Sequence, residues 1–183
     1  EIKAQTGEVF RYYGDNRPLR FAGHQHTQML PVVYHALLEA IREEGYSVEY
    51  IRVTKEPVLP FLKGVSLWKT YRPVNCVKNL LLNLLALRME RTVAGAVPEQ
   101  KPMFLWGVLF SGCMDEERVR KLFPVMKRKA KERERILEIL FHPGFTEKAE
   151  MKGKCISEGA SWFYCSEGRK QEFQTVMKLK GVV

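Results

Sequence analysis

Residues 19 to 53 limit the fold more than any other stretch of this chain. Leu19 to Thr27 reads as a strand. Pro31 then opens a helix through Glu44, in which Val32, Val33, Leu37, Leu38 and Ile41 fall on one face at helical spacing. Gly45 is placed to cap that helix, and Val48 to Val53 (VEYIRV) alternates as a second strand. A helix of this length between two strands is a crossover, and a crossover requires the strands to run parallel.

The rest of the chain repeats the alternation. Thr6 to Tyr13 looks like the end of an amphipathic helix, closed by the turn formers Gly14, Asp15 and Asn16. Pro57 and Pro60 mark a loop, and a Leu-rich helix follows from about Val74 to Thr92, ending near Gly95. Met103 to Phe110 (MFLWGVLF) reads as a buried strand, and Asp115 caps a helix expected to divide at Pro124. Ile136 to Phe141 is a further strand, terminated by His142-Pro143-Gly144, and Arg169 to Met177 a last short helix. The pattern predicts an α/β architecture in one domain over residues 1–183, whose ligands collect beyond the carboxyl ends of parallel strands.

Composition removes several function classes. No stretch approaches the roughly 20 apolar residues needed to cross a bilayer, and no basic-then-apolar signal opens the chain. Cys76, Cys113, Cys155 and Cys165 are scattered without CxxC spacing, so reduced thiols in a cytoplasmic protein are expected. The net charge of +9 is concentrated between Arg118 and Arg135, where nine Lys or Arg residues face only Glu132 and Glu134. No aromatic residues are interleaved there as stacking surfaces for bases, so the run is expected to be a solvated helix face rather than a nucleic-acid site.

Three of the four histidines fall where α/β chemistry belongs. His24 and His26 stand at the end of the first strand and His142 at the end of the last, while His35 lies inside the first crossover helix. Residues i and i+2 of a strand share a side, about 7 Å apart along the chain. Two imidazoles so placed suit one metal ion, or else hydrogen-bond as a pair without metal. Gln28 is the weak candidate for a third ligand. Pro143 and Gly144 present His142 at a rim, where an imidazole is placed for proton transfer or simply caps the strand.

These residues resemble a known family. His24-Gln25-His26 with Met29-Leu30-Pro31, and Ile51-Arg52 with Lys55-Glu56-Pro57, are similar to the YdjC-like carbohydrate deacetylases. So are Lys78-Asn79-Leu80-Leu81, Gly107 with Leu109-Phe110-Ser111-Gly112, Phe141-His142-Pro143-Gly144-Phe145, and Phe163-Tyr164 with Ser166 and Arg169-Lys170. The resemblance implies a distorted TIM-like barrel that removes acetyl groups from N-acetylated sugars with a divalent metal, Mg²⁺ or Zn²⁺. It implies that His24 is a metal ligand with His26 beside it, and that His142 protonates the departing amine; strand parity and the shared carboxyl-end location are what put His142 across a cleft from the pair. Arg52 and Glu56 match a segment that lines the sugar cleft or holds its loop, with Thr54 in place of the usual proline.

The chain also departs from the family pattern. Nothing in it matches the Asp-Asp-Phe-Gly-like motif of the family's first strand or its Gly-x-His segment. Ala22-Gly23 replaces the usual Asp-Ser, and Gln28 the usual third histidine. The expectation is therefore the C-terminal portion of the family barrel, incomplete without its first strands. An unpaired strand edge would then favour self-association of these residues into a homo-oligomer. A non-catalytic sugar-binding or interaction protein on the same scaffold is the alternative reading.

Overall fold

Pro31 cannot donate a backbone hydrogen bond, which the first turn of a helix does not need, and here it is the first residue of one. A computed structural model describes residues 1–13, 17–58, 61, 72–151 and 158–179 of the chain. In it α1 runs over Ile2–Tyr13, β1 over Leu19–Phe21, α2 over Pro31–Glu44 and β2 over Val48–Ile51. Then come α3 (Pro73–Ala96), β3 (Met103–Trp106), α4 (Glu116–Glu132), β4 (Ile136–Ile139), α5 (Glu158–Tyr164) and α6 (Glu167–Lys178). Among the described residues the strands form two two-stranded sheets, β1 with β2 and β3 with β4, and no closed barrel. The class is α/β.

The contacts divide the chain into two compact units, residues 1–55 with 80–104 and residues 56–79 with 105–183. In the first, β1 and β2 pair in parallel, with Phe21 opposite Ile51, as the crossover requires. Gly45 ends α2 in the left-handed conformation at φ 66°, its N–H bonded to the Ile41 carbonyl. Tyr34, Leu37 and Ala40 of α2 are buried, as are Leu82, Ala86, Met89 and Val93 of α3 at the spacing of one helix face. The Tyr34 hydroxyl donates to the Met89 carbonyl at 3.4 Å.

In the second unit, Trp106, Leu109, Phe110 and Met114 bury with Val119, Leu122 and Met126 of α4. Asp115 caps α4, its carboxylate accepting from the Arg118 N–H at 2.8 Å. The helix is not divided at Pro124: it runs unbroken from Glu116 to Glu132. Pro124 and Arg120 are exposed, so the break that proline makes in the hydrogen-bond ladder lies on the solvated side of the helix. The basic residues of this helix are mostly exposed, whereas Arg118 turns inward, pairs with Asp115 and lies over the Phe110 ring.

All four strands are shorter than the runs read for them, β2 ending at Ile51 instead of Val53 and β4 at Ile139 instead of Phe141. β3 stops at Trp106 because Gly107 adopts φ 129° and lies against β4, where a Cβ would sit 2.3 Å from the Leu140 carbonyl oxygen. β1 stops at Phe21, and the helix α5 stands in a stretch that shows no clear period. Among the described residues no helix is long and apolar enough to cross a membrane. Cys76, Cys113 and Cys165 are free thiols; Cys155, Pro60 and the Gly14-Asp15-Asn16 turn lie outside the described residues.

Candidate functional site

The His-x-His segment is not on a strand. His24–Met29 forms a 3-10 turn, with Gln25 at φ 52°, ψ 25° and His26 at φ 63°, ψ 27°. The two imidazoles therefore do not share a strand face: His24 is exposed while His26 is buried. The physical reason is local. Two successive left-handed residues reverse the chain directly after the strand, and β-alternation does not survive such a reversal. Non-glycine residues cost about 1–2 kcal/mol each in this conformation, although histidine is among those found there more often.

Three contacts hold the turn. The Gln28 Oε1 accepts from the Gly23 N–H at 3.0 Å, and its Nε2 donates to the Arg52 carbonyl at 3.1 Å. Gln28 is thereby occupied as a brace and does not stand free as a ligand. The Thr54 hydroxyl lies 2.9 Å from His26 Nδ1 in a buried hydrogen bond. In the tautomer that donates Nδ1–H to the Thr54 oxygen, the lone pair of His26 stands on Nε2, the arrangement that orients metal-bound imidazoles. Thr54, the residue that replaces the family's proline, is what makes this bond, and its role is not legible from spacing. Arg52 continues from β2, its N–H bonded to the Phe21 carbonyl.

Glu56 belongs to the second unit and is buried, 1 % exposed. Its Oε1 accepts from the Gly107 N–H at 2.6 Å and the Val108 N–H at 3.2 Å. Its Oε2 accepts from the Leu109 N–H at 2.8 Å and Asn79 Nδ2 at 2.5 Å. Burial pushes its pKa up to about 7, against the opposing pull of these donors. Of the two roles open to Glu56, holding the loop fits this placement: a carboxylate sealed among four donors has no face left for a sugar.

His142 stands beyond the end of β4 in the same unit, half-buried. Its turn is gripped from α6. Arg169 donates from Nε to the His142 carbonyl at 3.1 Å, from Nη2 to the Pro143 carbonyl at 3.3 Å and from Nη1 to the Tyr164 carbonyl at 3.2 Å. Gly144 at φ 140° brings its Cα close beneath the guanidinium, where a Cβ would sit 2.8 Å from Nη2. One turn along α6, Glu172 is fully buried and accepts from the backbone N–H of Met114 at 3.1 Å and from that of His142. Sequence reasoning missed Glu172; its only trace is a carboxylate three residues after Arg169, on the same helix face.

The donors for a metal are partial. His24 and His26 offer two nitrogens, but among the described residues no three His, Cys, Asp or Glu side chains gather to hold an ion. Two imidazoles alone are a poor set for a hard divalent cation, which takes oxygen ligands.

Comparison with known proteins gives one family. No curated protein matches the chain, and no solved structure matches it. The sequence model of the YdjC-like proteins matches residues 1–180. With that match over nearly its whole length, and the His-x-His turn and His-Pro-Gly turn in their expected order, the chain belongs to the YdjC-like family.

Proposed function

We propose that this protein removes acetyl groups from N-acetylated sugars, chito-oligosaccharides in particular, as a metal-dependent hydrolase in the cytoplasm. The family is one of carbohydrate-deacetylase-related proteins, which supplies the substrate class. The observation that carries the reading is the His-x-His turn. Left-handed backbone at two non-glycine residues, with the buried imidazole of His26 tied to Thr54, is local strain held in place by its surroundings. Such strain gathers at functional sites.

In this reading His24 and His26 would help to hold a divalent ion, Mg²⁺ or Zn²⁺, within a TIM-like barrel, and such an ion would supply a Lewis acid for the acetyl carbonyl and its attacking water. His142 supplies the proton that an amide nitrogen needs in order to leave. Arg52 faces the sugar, and Glu56 acts by fixing the 107–109 loop. No segment of the sequence matches the Asp-Asp motif, and among the described residues no third ligand gathers with the pair, so a full site needs further donors.

Acetate release from an N-acetylated chito-oligosaccharide, with Mg²⁺ or Zn²⁺ added, tests the reading. Release that falls about 10²–10⁴-fold in His142→Gln supports it, this being the contribution of a general acid. Sugar binding without acetate release under either metal overturns the catalytic reading in favour of a binding protein on the same scaffold.

A further inference from the structure

Glu172 has a geometry that tying a turn does not require. It is fully buried, and besides accepting from the His142 N–H its Oε2 lies 3.6 Å from His142 Nδ1. That nitrogen is sealed from solvent and has no hydrogen-bond partner. The Phe163 ring meets the imidazole edge-on, centroids 5.6 Å apart at 81°, and limits its rotation. A quarter of the His142 side chain nevertheless remains exposed. The ring thus has one nitrogen turned inward toward a carboxylate in a dry setting and a surface still open to a reactant.

We infer that Glu172 is the positioning residue of His142: it holds the proton on Nδ1 and leaves Nε2 as the nitrogen that exchanges protons with the substrate. A carboxylate oxygen has lone pairs for both the backbone N–H and the ring N–H. At 3.6 Å the oxygen lies a few tenths of an ångström beyond hydrogen-bond distance, and its charge still acts on that nitrogen. In the low dielectric of the interior, the charged acceptor favours a donor facing it, so the neutral ring is fixed in its Nδ1–H form. Arg169 locks the backbone of the same turn through the His142 and Pro143 carbonyls, so ring and backbone are set from one face of α6.

The chemical consequence, unlike the tautomer, rests on the deacetylation reading. The protonated ring gives its Nε2 proton to the amine nitrogen as the C–N bond breaks and its electron pair goes to that nitrogen. Nε2 recovers its lone pair, Nδ1–H is untouched, and Glu172 gains no proton.

The test is a long-range ¹H–¹⁵N correlation spectrum of the full chain with ¹⁵N-labelled histidine, at a pH where the rings are neutral. His142→Gln assigns the resonance by its loss. The expected result is a pyrrole-like Nδ1 and a pyridine-like Nε2 for His142, shifting toward Nε2–H in Glu172→Gln. Wild-type His142 in the Nε2–H form overturns the inference, as does an unchanged spectrum in a folded Glu172→Gln. Should that variant fail to fold, the wild-type tautomer decides alone. In acetate release, Glu172→Gln should lower kcat about 10²-fold with KM unchanged, at the low end of a general acid's contribution. Absence of any deacetylation by the wild type would sink the function proposed above and leave the tautomer result standing.

Discussion

Replacing Glu56 by glutamine tests whether this carboxylate is the brace of the 107–109 loop. The glutamate offers two oxygens to four N–H donors, from Gly107, Val108, Leu109 and Asn79. Glutamine offers one, and its NH₂ must face either the Gly107–Val108 pair or the Leu109–Asn79 pair. Either way at least one buried backbone N–H of the 107–109 loop is left facing an NH₂ group without an acceptor. A buried donor so stranded costs about 1–3 kcal/mol, and Glu56→Ala, which strands all four, costs about 4 kcal/mol or more by the same scale. The pH dependence follows from burial. The folded pKa is raised from 4.5 to about 7, so the contribution of Glu56 is complete below the lower value and is lost as pH rises through the upper one. At roughly 1.4 kcal/mol per pH unit, that loss is about 3 kcal/mol. Urea unfolding followed by circular dichroism, at pH values below 4.5 and above 7, reads both effects. The stability difference between wild type and Glu56→Gln should shrink toward the higher pH, because only the wild type carries this titration. A Glu56→Gln protein within about 0.5 kcal/mol of wild type at both pH values, the range of ordinary surface changes, would refute the brace.

Two further substitutions probe the turns that carry the histidines. Gly107→Ala should destabilise by about 3 kcal/mol or prevent folding, since its Cβ meets the Leu140 carbonyl in a backbone conformation reserved for glycine; a urea midpoint like that of wild type would contradict the close approach of β3 and β4. Thr54→Val keeps the shape but leaves His26 Nδ1 buried without its partner, at about 1–3 kcal/mol. Isothermal calorimetry with Zn²⁺ should then show affinity about 10- to 100-fold below wild type, the usual effect of losing the residue that orients a ligating histidine; equal affinities would mean that Thr54 does not orient His26.

Much of the candidate site was visible as residues and invisible as geometry. His24, His26 and His142 were singled out from their positions after apolar runs, and each does follow a strand. The segment Leu19 to Thr27 does not stay extended beyond Phe21. Its last residues are apolar-flanked but locally satisfied by Gln28, a polar side chain that caps its own turn, and side-chain bonds of this kind compete with a strand ladder. Arg169 was legible as part of a family motif but not as a clamp, because three of its partners are carbonyls, and every residue carries one.

The sequence by itself determined the local events: α2 from Pro31 to the left-handed Gly45, the capping of α4 by Asp115, and the parallel pairing forced by a short crossover. These depend on neighbours a few residues apart, so period, proline and glycine suffice to read them. It also determined the family, which the order of many short motifs carries without any one of them being decisive. Only the tertiary structure decided what the polar side chains do. Glu56 meets the loop 51 residues away, Thr54 meets His26, and Glu172 reaches back 30 residues to His142. A buried carboxylate is fixed by which N–H groups arrive around it, and that is set by packing rather than by anything in its own sequence surroundings.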